Sequence, residues 1–260
     1  MQTIDRTVEI LNAVSTAPSG LTLTALCSEL ALPKTTGYRM LQALVKHDLL
    51  RKDDLTKAYR LGPALLTLGA NSLAQWDLRA IARPYLQQLS QSIHETVCLN
   101  VLYRDRVICL ETIESDRSSP FVVRVGREME AHCSASGKAI AAFLPEAHIR
   151  RALPRPLRQC TDQTITDFDA LLRHFATVRA QGYALCDGEL EVGVRAIAAP
   201  LMQNGRQVVG SVAVVAPAQR LDREARGQLV PQLIETARQI SMRMGYQPGI
   251  LNPQAVRAQV

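Results

Sequence analysis

Apolar side chains recur at helical spacing in three short segments at the start of the chain. The pattern predicts a helix over 4–17 with Thr3 as its N-cap, and a second helix over 23–30 capped by Thr22. A third helix is expected from Pro33 to about His47, because proline suits the first position of a helix. A short helix, a tight turn and a longer helix in this order are typical of a helix-turn-helix.

The pattern after the third helix changes to short strands. It predicts a strand over 49–52, a polar turn over 53–56 and a returning strand over 57–61. Together these segments form a β-hairpin, or wing, beside the helix-turn-helix. Gly62 and Pro63 then mark the end of this first domain.

Residues 64–91 return to helical spacing but contain Pro84. Because proline interrupts a helix, two helices joined near Arg83 are expected, the first of them a linker between domains. The predicted organisation is a winged helix-turn-helix domain over 1–62, a linker helix over 63–80, a second domain over 81–246 and a mobile tail over 247–260.

The second half of the chain interleaves strands and helices. Strands are predicted at 97–103, 107–113, 121–125, 183–187, 194–202 and 207–216, and helices at about 136–144, 167–181 and 222–244. Gly182 closes the second of these helices, and Asn204-Gly205 is a strong hairpin turn signal. Because hairpins dominate, we expect an α+β domain with a largely antiparallel sheet.

Composition and charge narrow the function. The chain has 260 residues, 47% of them apolar and 21% charged, which is typical of a globular protein and excludes a disordered one. Only 4% are aromatic, so a stacking platform for single-stranded nucleic acid is not expected. Residues 33–60 hold seven basic and three acidic residues, so +4 of the net charge of +6 lies on the third helix and the wing.

This basic segment coincides with the elements that contact DNA in a winged helix-turn-helix. The N-terminal part of the third helix enters the major groove, where Arg and Gln read bases and Lys, Thr and Tyr hold phosphates. The wing lysines would contact the backbone or the minor groove. The predicted DNA-binding residues are Lys34, Thr35, Thr36, Tyr38, Arg39, Gln42, Lys52 and Lys57.

Catalytic and metal-binding motifs are missing from the sequence. Gly137-Lys138 lacks the upstream glycine and the following Ser/Thr of a P-loop, His94-Glu95 lacks the second His of a zinc protease, and no GxSxG elbow occurs. The six cysteines form no CxxC pair, so we expect reduced, mostly buried thiols, with no metal and no cofactor. Arginines at 150, 151, 155 and 158 are interpreted as a solvated surface loop.

No signal peptide and no membrane span are predicted, so a cytoplasmic location is expected. The leading interpretation is a transcription factor rather than an enzyme. The alternative is a ligand-sensing or enzymatic domain that carries a winged-helix module for protein interaction.

Several blocks of the sequence resemble the IclR family of bacterial transcriptional regulators. They are the segments Arg6–Leu11, Leu21–Leu50, Tyr59–Gly62, His132–Ala139 and Gly182–Pro200, in the order that the family has them. The resemblance covers about residues 4–243. It implies a winged helix-turn-helix followed by a GAF-like α+β domain that binds a small effector, commonly an organic or aromatic acid. It also implies a dimer or tetramer on a pseudo-palindromic operator near catabolic or transport genes.

The resemblance further places the effector on the sheet, under the loop 126–135 and at the start of the helix near Ser136. The implied effector-binding residues are Met129, Ser134, Ala135, Ser136, Gly137, Cys186, Asp187, Ala196, Ala213 and Val215. Backbone N–H groups and serine hydroxyls at a helix start suit a carboxylate. The alternative is that Ser134 and Ser136 serve solely as helix caps. Most of the other positions are apolar, which favours an acid with an apolar or aromatic body. Asp187 and Glu189 could either bond ligand hydroxyls or anchor the loop 188–193. The anchor is favoured for Glu189, and both roles stay open for Asp187.

Two positions depart from the family pattern. Gly37 stands in the third helix where the family has a larger residue, which predicts closer helix packing or a looser recognition helix. The wing tip, Leu55-Thr56-Lys57, lacks the usual glycine, which leaves its turn type open.

Overall fold

The computed structural model describes residues 2–74, 77–104, 106–117, 123–203 and 207–246. The chain divides into two compact units, Met1–Trp76 and Asp77–Val260. The predicted turn at Asn204-Gly205 and the predicted mobile tail 247–260 lie outside the described residues.

Over its described residues, 2–74, the first unit contains four helices and three strands. In chain order they are α1 (Gln2–Thr16), β1 (Leu21–Thr22), α2 (Leu23–Glu29), α3 (Lys34–Lys46), β2 (Leu50–Lys52), β3 (Ala58–Leu61) and α4 (Pro63–Ala74). The strands pair antiparallel in the order β1-β3-β2, so the predicted wing gains a third strand that is too short to be read from periodicity.

The core of this unit lies between the helices and the sheet. Ile10 of α1, Leu26 of α2, Leu41 of α3 and Tyr59 of β3 are buried together. Their burial joins all of these elements and accounts for the helical spacing seen in the sequence.

Two predicted helix starts are wrong by one or two residues. α1 already includes Gln2, so Thr3 lies inside the helix and is not its N-cap. Pro33 is the N-cap of α3 rather than its first helical residue, because its ψ of 135° is extended. The Thr22 cap is confirmed, since its side chain accepts a hydrogen bond from the backbone N–H of Ala25.

The second unit contains a six-stranded antiparallel sheet. Its elements are α5 (Asp77–Ile93), β4 (Thr96–Tyr103), β5 (Arg106–Ile113), β6 (Glu128–Glu130), α6 (Ala135–Ala141), α7 (Glu146–Ala152), α8 (Phe168–Gln181), β7 (Ala184–Asp187), β8 (Val194–Gln203), β9 (Gln207–Pro217) and α9 (Arg223–Arg243). The strand order is β6-β5-β4-β9-β8-β7, and every neighbouring pair is antiparallel. The predicted α+β class is confirmed.

The helices of the second unit pack on this sheet and on one another. α5 and α9 pack together and against the sheet, while α6 packs on β8 and β9 and contacts α8. Phe175 of α8, Ala139 of α6 and Ala213 of β9 belong to one buried cluster. α6 is therefore fixed between the sheet and α8, which determines where its first residues lie.

The predicted helix break near Arg83 is wrong. α5 continues through Pro84, because one proline removes a single helical hydrogen bond while Ala82, Leu86 and Leu89 remain buried. α4 ends at Ala74 and α5 begins at Asp77, and residues 75–76 lie outside the described residues.

The strand that was predicted at 121–125 also differs from the structure. Residues 121–122 lie outside the described residues, 123–125 form no strand, and the edge strand is β6 instead.

The predicted arginine loop is partly helical, because Arg150 and Arg151 lie on α7. On that helix Arg150 pairs with Glu146, one turn away. Arg150 and Arg155 also lie over the ring of Phe168.

Candidate functional site

The predicted DNA-binding residues of α3 are all exposed on one side of the helix. They are Lys34, Thr35, Thr36, Tyr38, Arg39 and Gln42, and Leu41 and Leu44 are buried on the opposite side. The amphipathic pattern therefore leaves a continuous polar face free for a partner, with two cations, three hydroxyl groups and one amide group on it.

Gly37 brings α2 and α3 into unusually close contact. A Cβ atom at this position would lie 2.4 Å from the Cys27 sulfur of α2 and 3.5 Å from a Leu23 methyl group. The absence of a side chain lets the thiol occupy that space, so the closer packing expected from the sequence is confirmed.

Arg6 is a basic residue beside α3 that the sequence interpretation missed. Arg6 and Thr3 of α1 line a shallow groove together with Thr36 and Arg39 of α3. Arg6 was missed because it lies in a net-negative segment that is distant from α3 in the sequence. It approaches α3 only through the packing of α1.

The wing tip is closed by an aspartate rather than a glycine. The Asp53 carboxylate accepts hydrogen bonds from the backbone N–H groups of Leu55 (3.0 Å) and Thr56 (2.9 Å). These bonds hold the pKa of Asp53 below its usual value, and the bond from Thr56 has the largest effect. Lys57 takes the left-handed conformation, with φ at 56°, that a glycine would otherwise supply.

Both predicted wing lysines are exposed. Lys57 stands at the tip, and the Lys52 ammonium lies 5.7 Å from the centre of the Tyr59 ring. This cation–π contact keeps Lys52 on the surface of the sheet while its charge stays accessible.

A second candidate site is a cavity in the second unit, bounded by the sheet, the start of α6 and the loop 188–193. Its cavity volume is about 50 Å³, and the space continues through an open mouth into solvent. Eight predicted effector residues line it: Met129, Ser134, Ala135, Ser136, Cys186, Ala196, Ala213 and Val215. The lining residues that sequence reasoning missed are Cys98, Asn100, Val123, Arg127, Leu190, Glu191 and Val194.

The start of α6 confirms the capping alternative for Ser134 but not for Ser136. α6 begins at Ala135 with Ser134 as its N-cap, and the Ser134 hydroxyl accepts from the Gly137 N–H at 3.1 Å and donates to the Glu130 carbonyl. The Gly137 N–H is therefore already bonded and is not available to a carboxylate. Ser136 lies within the first turn and does not cap the helix.

Gly137 does not line the cavity but is required for its shape. A Cβ atom at Gly137 would lie 2.1 Å from the carbonyl oxygen of Ala131. Backbone cannot yield by that much, so only glycine lets the loop before α6 pass so close to the helix.

Asp187 does not line the cavity either. Its carboxylate makes two hydrogen bonds to the Arg195 guanidinium, at 2.9 and 2.7 Å, on the exposed end of β7 and β8. The structure therefore gives Asp187 an anchoring contact in place of the predicted effector contact, since the bidentate pair holds its carboxylate on β8.

Glu189 anchors the loop 188–193, as expected from the sequence. Its carboxylate pairs with the ammonium group of Lys138, which is completely buried on α6. Burial raises the pKa of Glu189, and the Lys138 cation opposes that rise. The backbone carbonyl of Glu189 also accepts from the Thr164 hydroxyl at 2.7 Å, so the loop is held from two sides.

Four polar side chains of the cavity form two separate pairs. At the mouth, the Arg127 guanidinium pairs with the Glu191 carboxylate across 64 residues of sequence. At the floor, the Asn100 amide donates to the Ser136 hydroxyl at 2.9 Å. The remaining lining is mostly apolar, which suits a ligand that is charged at one end.

The cysteines agree with the sequence expectation of free, mostly buried thiols. All six are free, and only Cys160 is not fully buried. Burial raises the pKa of the Cys186 thiol, which donates to the Cys133 carbonyl at the cavity wall. Within the described residues, no group of three or more His, Cys, Asp or Glu side chains could hold a metal ion.

Comparison with known families matches both units. Residues 3–54 match the IclR helix-turn-helix domain, and residues 70–242 match the bacterial transcriptional regulator IclR C-terminal domain. Among the described residues, no helix is long and apolar enough to span a bilayer.

Individual relatives cover nearly the whole chain. A glycerol operon regulatory protein of Streptomyces coelicolor is 32% identical over 238 residues, covering 92% of this chain and 92% of its own. An IclR homologue of Microbacterium hydrocarbonoxydans, solved with 4-hydroxybenzoate, has a TM-score of 0.81 at 26% identity, covering 94% and 99% of the two chains. A Rhodococcus regulator also reaches a TM-score of 0.81 at 26% identity, covering 94% and 98%.

A winged helix-turn-helix with a basic exposed helix, followed by an α+β domain with a largely apolar cavity, defines a DNA-binding transcriptional regulator that takes a small-molecule effector. The chain belongs to the IclR family, as the ordered motifs of its sequence predicted. It is a regulator and not an enzyme.

Proposed function

We propose that this regulator binds a pseudo-palindromic operator through α3 and the wing, and that an organic acid bound in the cavity changes its affinity for that operator. The observation that carries the proposal is the cavity itself, whose walls are apolar and whose mouth holds one arginine. An apolar or aromatic acid satisfies both features, because its body fills the walls and its charge meets Arg127. A relative solved with 4-hydroxybenzoate supports this class of effector.

Binding to an operator requires self-association, because a single winged helix makes few base contacts. We propose a dimer or tetramer in which the linker helix, 63–80, contributes to the contact between copies. Leu66 and Leu68 on α4 support this role, since their side chains are 77% and 59% exposed and would be buried by a partner helix. We propose that it acts in the cytoplasm, on an operator near catabolic or transport genes.

The test is a gel shift on the intergenic DNA upstream of the protein's own gene, with and without aromatic acids. Arg39→Ala is expected to weaken operator binding by about 1–3 kcal/mol, because the arginine can contact a guanine edge with two hydrogen bonds. Arg173→Ala, an exposed arginine on α8, is the matched control and is expected to bind as the unmodified protein does.

The salt dependence of binding provides a second readout. Affinity is expected to fall steeply with salt, since each phosphate contact releases a condensed counterion. If Arg39→Ala and the unmodified protein shift the operator equally at moderate salt, the proposed recognition surface is wrong.

A further inference from the structure

The polar groups of the cavity lie at two depths. Arg127 and Glu191 stand at the mouth, with side chains 29% and 40% exposed, whereas Asn100 and Ser136 are buried at the floor. Most of the other side chains that line the cavity are apolar, among them Val194 and Val215. A ligand that satisfies the whole cavity is therefore polar at both ends and apolar in the middle.

The two charged residues at the mouth are held by their backbones rather than by each other. The Arg127 carbonyl accepts from the Cys109 N–H of β5 at 3.0 Å, and the Glu191 carbonyl accepts from the Val194 N–H at 3.2 Å. Because the pair is partly exposed, it stabilises the fold little. A second carboxylate can therefore replace Glu191 on Arg127 without disturbing the loops that carry them.

The floor contains an acceptor without a donor. The Asn100 Nδ2 donates to Ser136, but its buried Oδ1 has no hydrogen-bond partner among the described residues. Nδ2 also lies 3.5 Å from the Cys98 carbonyl oxygen, which favours this orientation of the amide over the swapped one. Buried acceptors without a donor are rare, so a ligand that supplies an O–H group would complete this site.

We infer that the effector is a hydroxylated organic acid whose carboxylate takes the place of Glu191 on Arg127 and whose hydroxyl donates to Asn100. The inference rests on the proposed function and identifies its ligand class more closely. Glu191 then competes with the acid for Arg127, so it sets how tightly an acid must bind to displace it. Asn100 distinguishes hydroxylated acids from their unsubstituted analogues, because a site built for a hydroxyl rejects a ligand that lacks one.

The mouth is tested by calorimetric titration of the full-length protein with 4-hydroxybenzoate and with benzoate. Arg127→Gln is expected to weaken binding of both acids at least tenfold, since a charge-assisted hydrogen bond is lost. Glu191→Gln is expected to tighten both about two- to fivefold by removing the competing carboxylate. Asp187→Asn is the matched control, because it breaks an arginine pair outside the cavity lining and is expected to leave both affinities unchanged.

The floor is tested by the ratio of the two affinities. The unmodified protein is expected to prefer 4-hydroxybenzoate to benzoate tenfold or more, and Asn100→Leu is expected to abolish that preference while keeping benzoate binding. Ser136→Ala retains the Asn100 acceptor and is expected to keep the preference. Operator binding by each variant, measured by gel shift, shows that it is folded.

The outcomes separate this inference from the proposed function. Binding of acids that is unaffected by Arg127→Gln, weaker binding after Glu191→Gln, or an equal affinity for both acids would overturn the inference. A protein that binds its operator but neither acid would overturn it as well, while leaving operator recognition in place. A protein that binds both acids as expected but no operator would instead contradict the proposed function.

Discussion

Gly37 illustrates how one missing side chain sets the packing of the recognition helix. The Cys27 sulfur occupies the position that a Cβ at residue 37 would need, so the Cys27 side chain of α2 packs directly against the backbone of α3. A glycine in a helix costs about 1 kcal/mol relative to alanine. The close contact offsets that cost by burying Cys27 against α3.

Gly37→Ala is therefore expected to destabilise the first unit by about 1–3 kcal/mol despite the better helix propensity of alanine, because the added methyl group overpacks against Cys27. Gly69→Ala on α4 is the matched control, since its Cβ would meet nothing within 4 Å, and is expected to stabilise slightly. Thermal unfolding measures both. Cys27→Ala should recover most of the loss, and no recovery in the double variant would contradict the steric explanation.

At the level of elements, the features predicted correctly are those that depend on interactions between residues close together in the sequence. The caps Thr22 and Gly182 and the hairpin strands β8 and β9 were predicted because each depends on residues close in sequence. The helix break at Pro84 was predicted wrongly, since tertiary burial outweighed the local preference of a proline. Arg127 and Asn100 were missed because their partners lie 64 and 36 residues away, where only strand pairing and loop packing bring them together.

The buried Lys138–Glu189 pair joins α6 to the loop that carries Leu190 and Glu191. Lys138→Met is expected to destabilise the second unit by about 3–5 kcal/mol, because it leaves a buried carboxylate without a partner. Lys138→Met combined with Glu189→Leu removes both charges and is expected to recover most of that loss. Chemical unfolding followed by circular dichroism measures the two variants, and a double variant no more stable than the single one would contradict an electrostatic origin.

The same pair predicts a dependence on pH. Burial raises the pKa of Glu189 above its ordinary value of 4.5, so the folded state binds a proton more readily than the unfolded state does. Without the Lys138 cation, the pKa of Glu189 in the folded state rises further above its value in the unfolded state. The free energy of unfolding of Lys138→Met must then fall as the pH rises through the folded-state pKa of Glu189. The deficit of Lys138→Met is accordingly expected to shrink as the pH is lowered toward 4.5, and a deficit that grows instead would show the opposite sign of coupling.

At the scale of the whole molecule, the two units divide recognition and sensing between them. The first unit carries the basic surface of α3 and the wing, and the second carries the cavity. Regulation requires a coupling free energy between these two sites, and thermodynamic linkage makes any such coupling reciprocal. If an acid changes the affinity for the operator by some factor, the operator must change the affinity for the acid by the same factor.

We therefore expect 4-hydroxybenzoate at saturation to change the operator dissociation constant by about 5–150-fold. Saturating operator DNA should change the dissociation constant of the acid by the same factor and in the same direction. Fluorescence anisotropy of a labelled operator duplex measures the first factor, and calorimetry of the acid with and without the duplex measures the second. A duplex of scrambled sequence is the control and is expected to leave the affinity for the acid unchanged at moderate salt, because it lacks the specific contacts. Two unequal factors would mean that the acid acts on operator binding through something other than the folded regulator and its cavity.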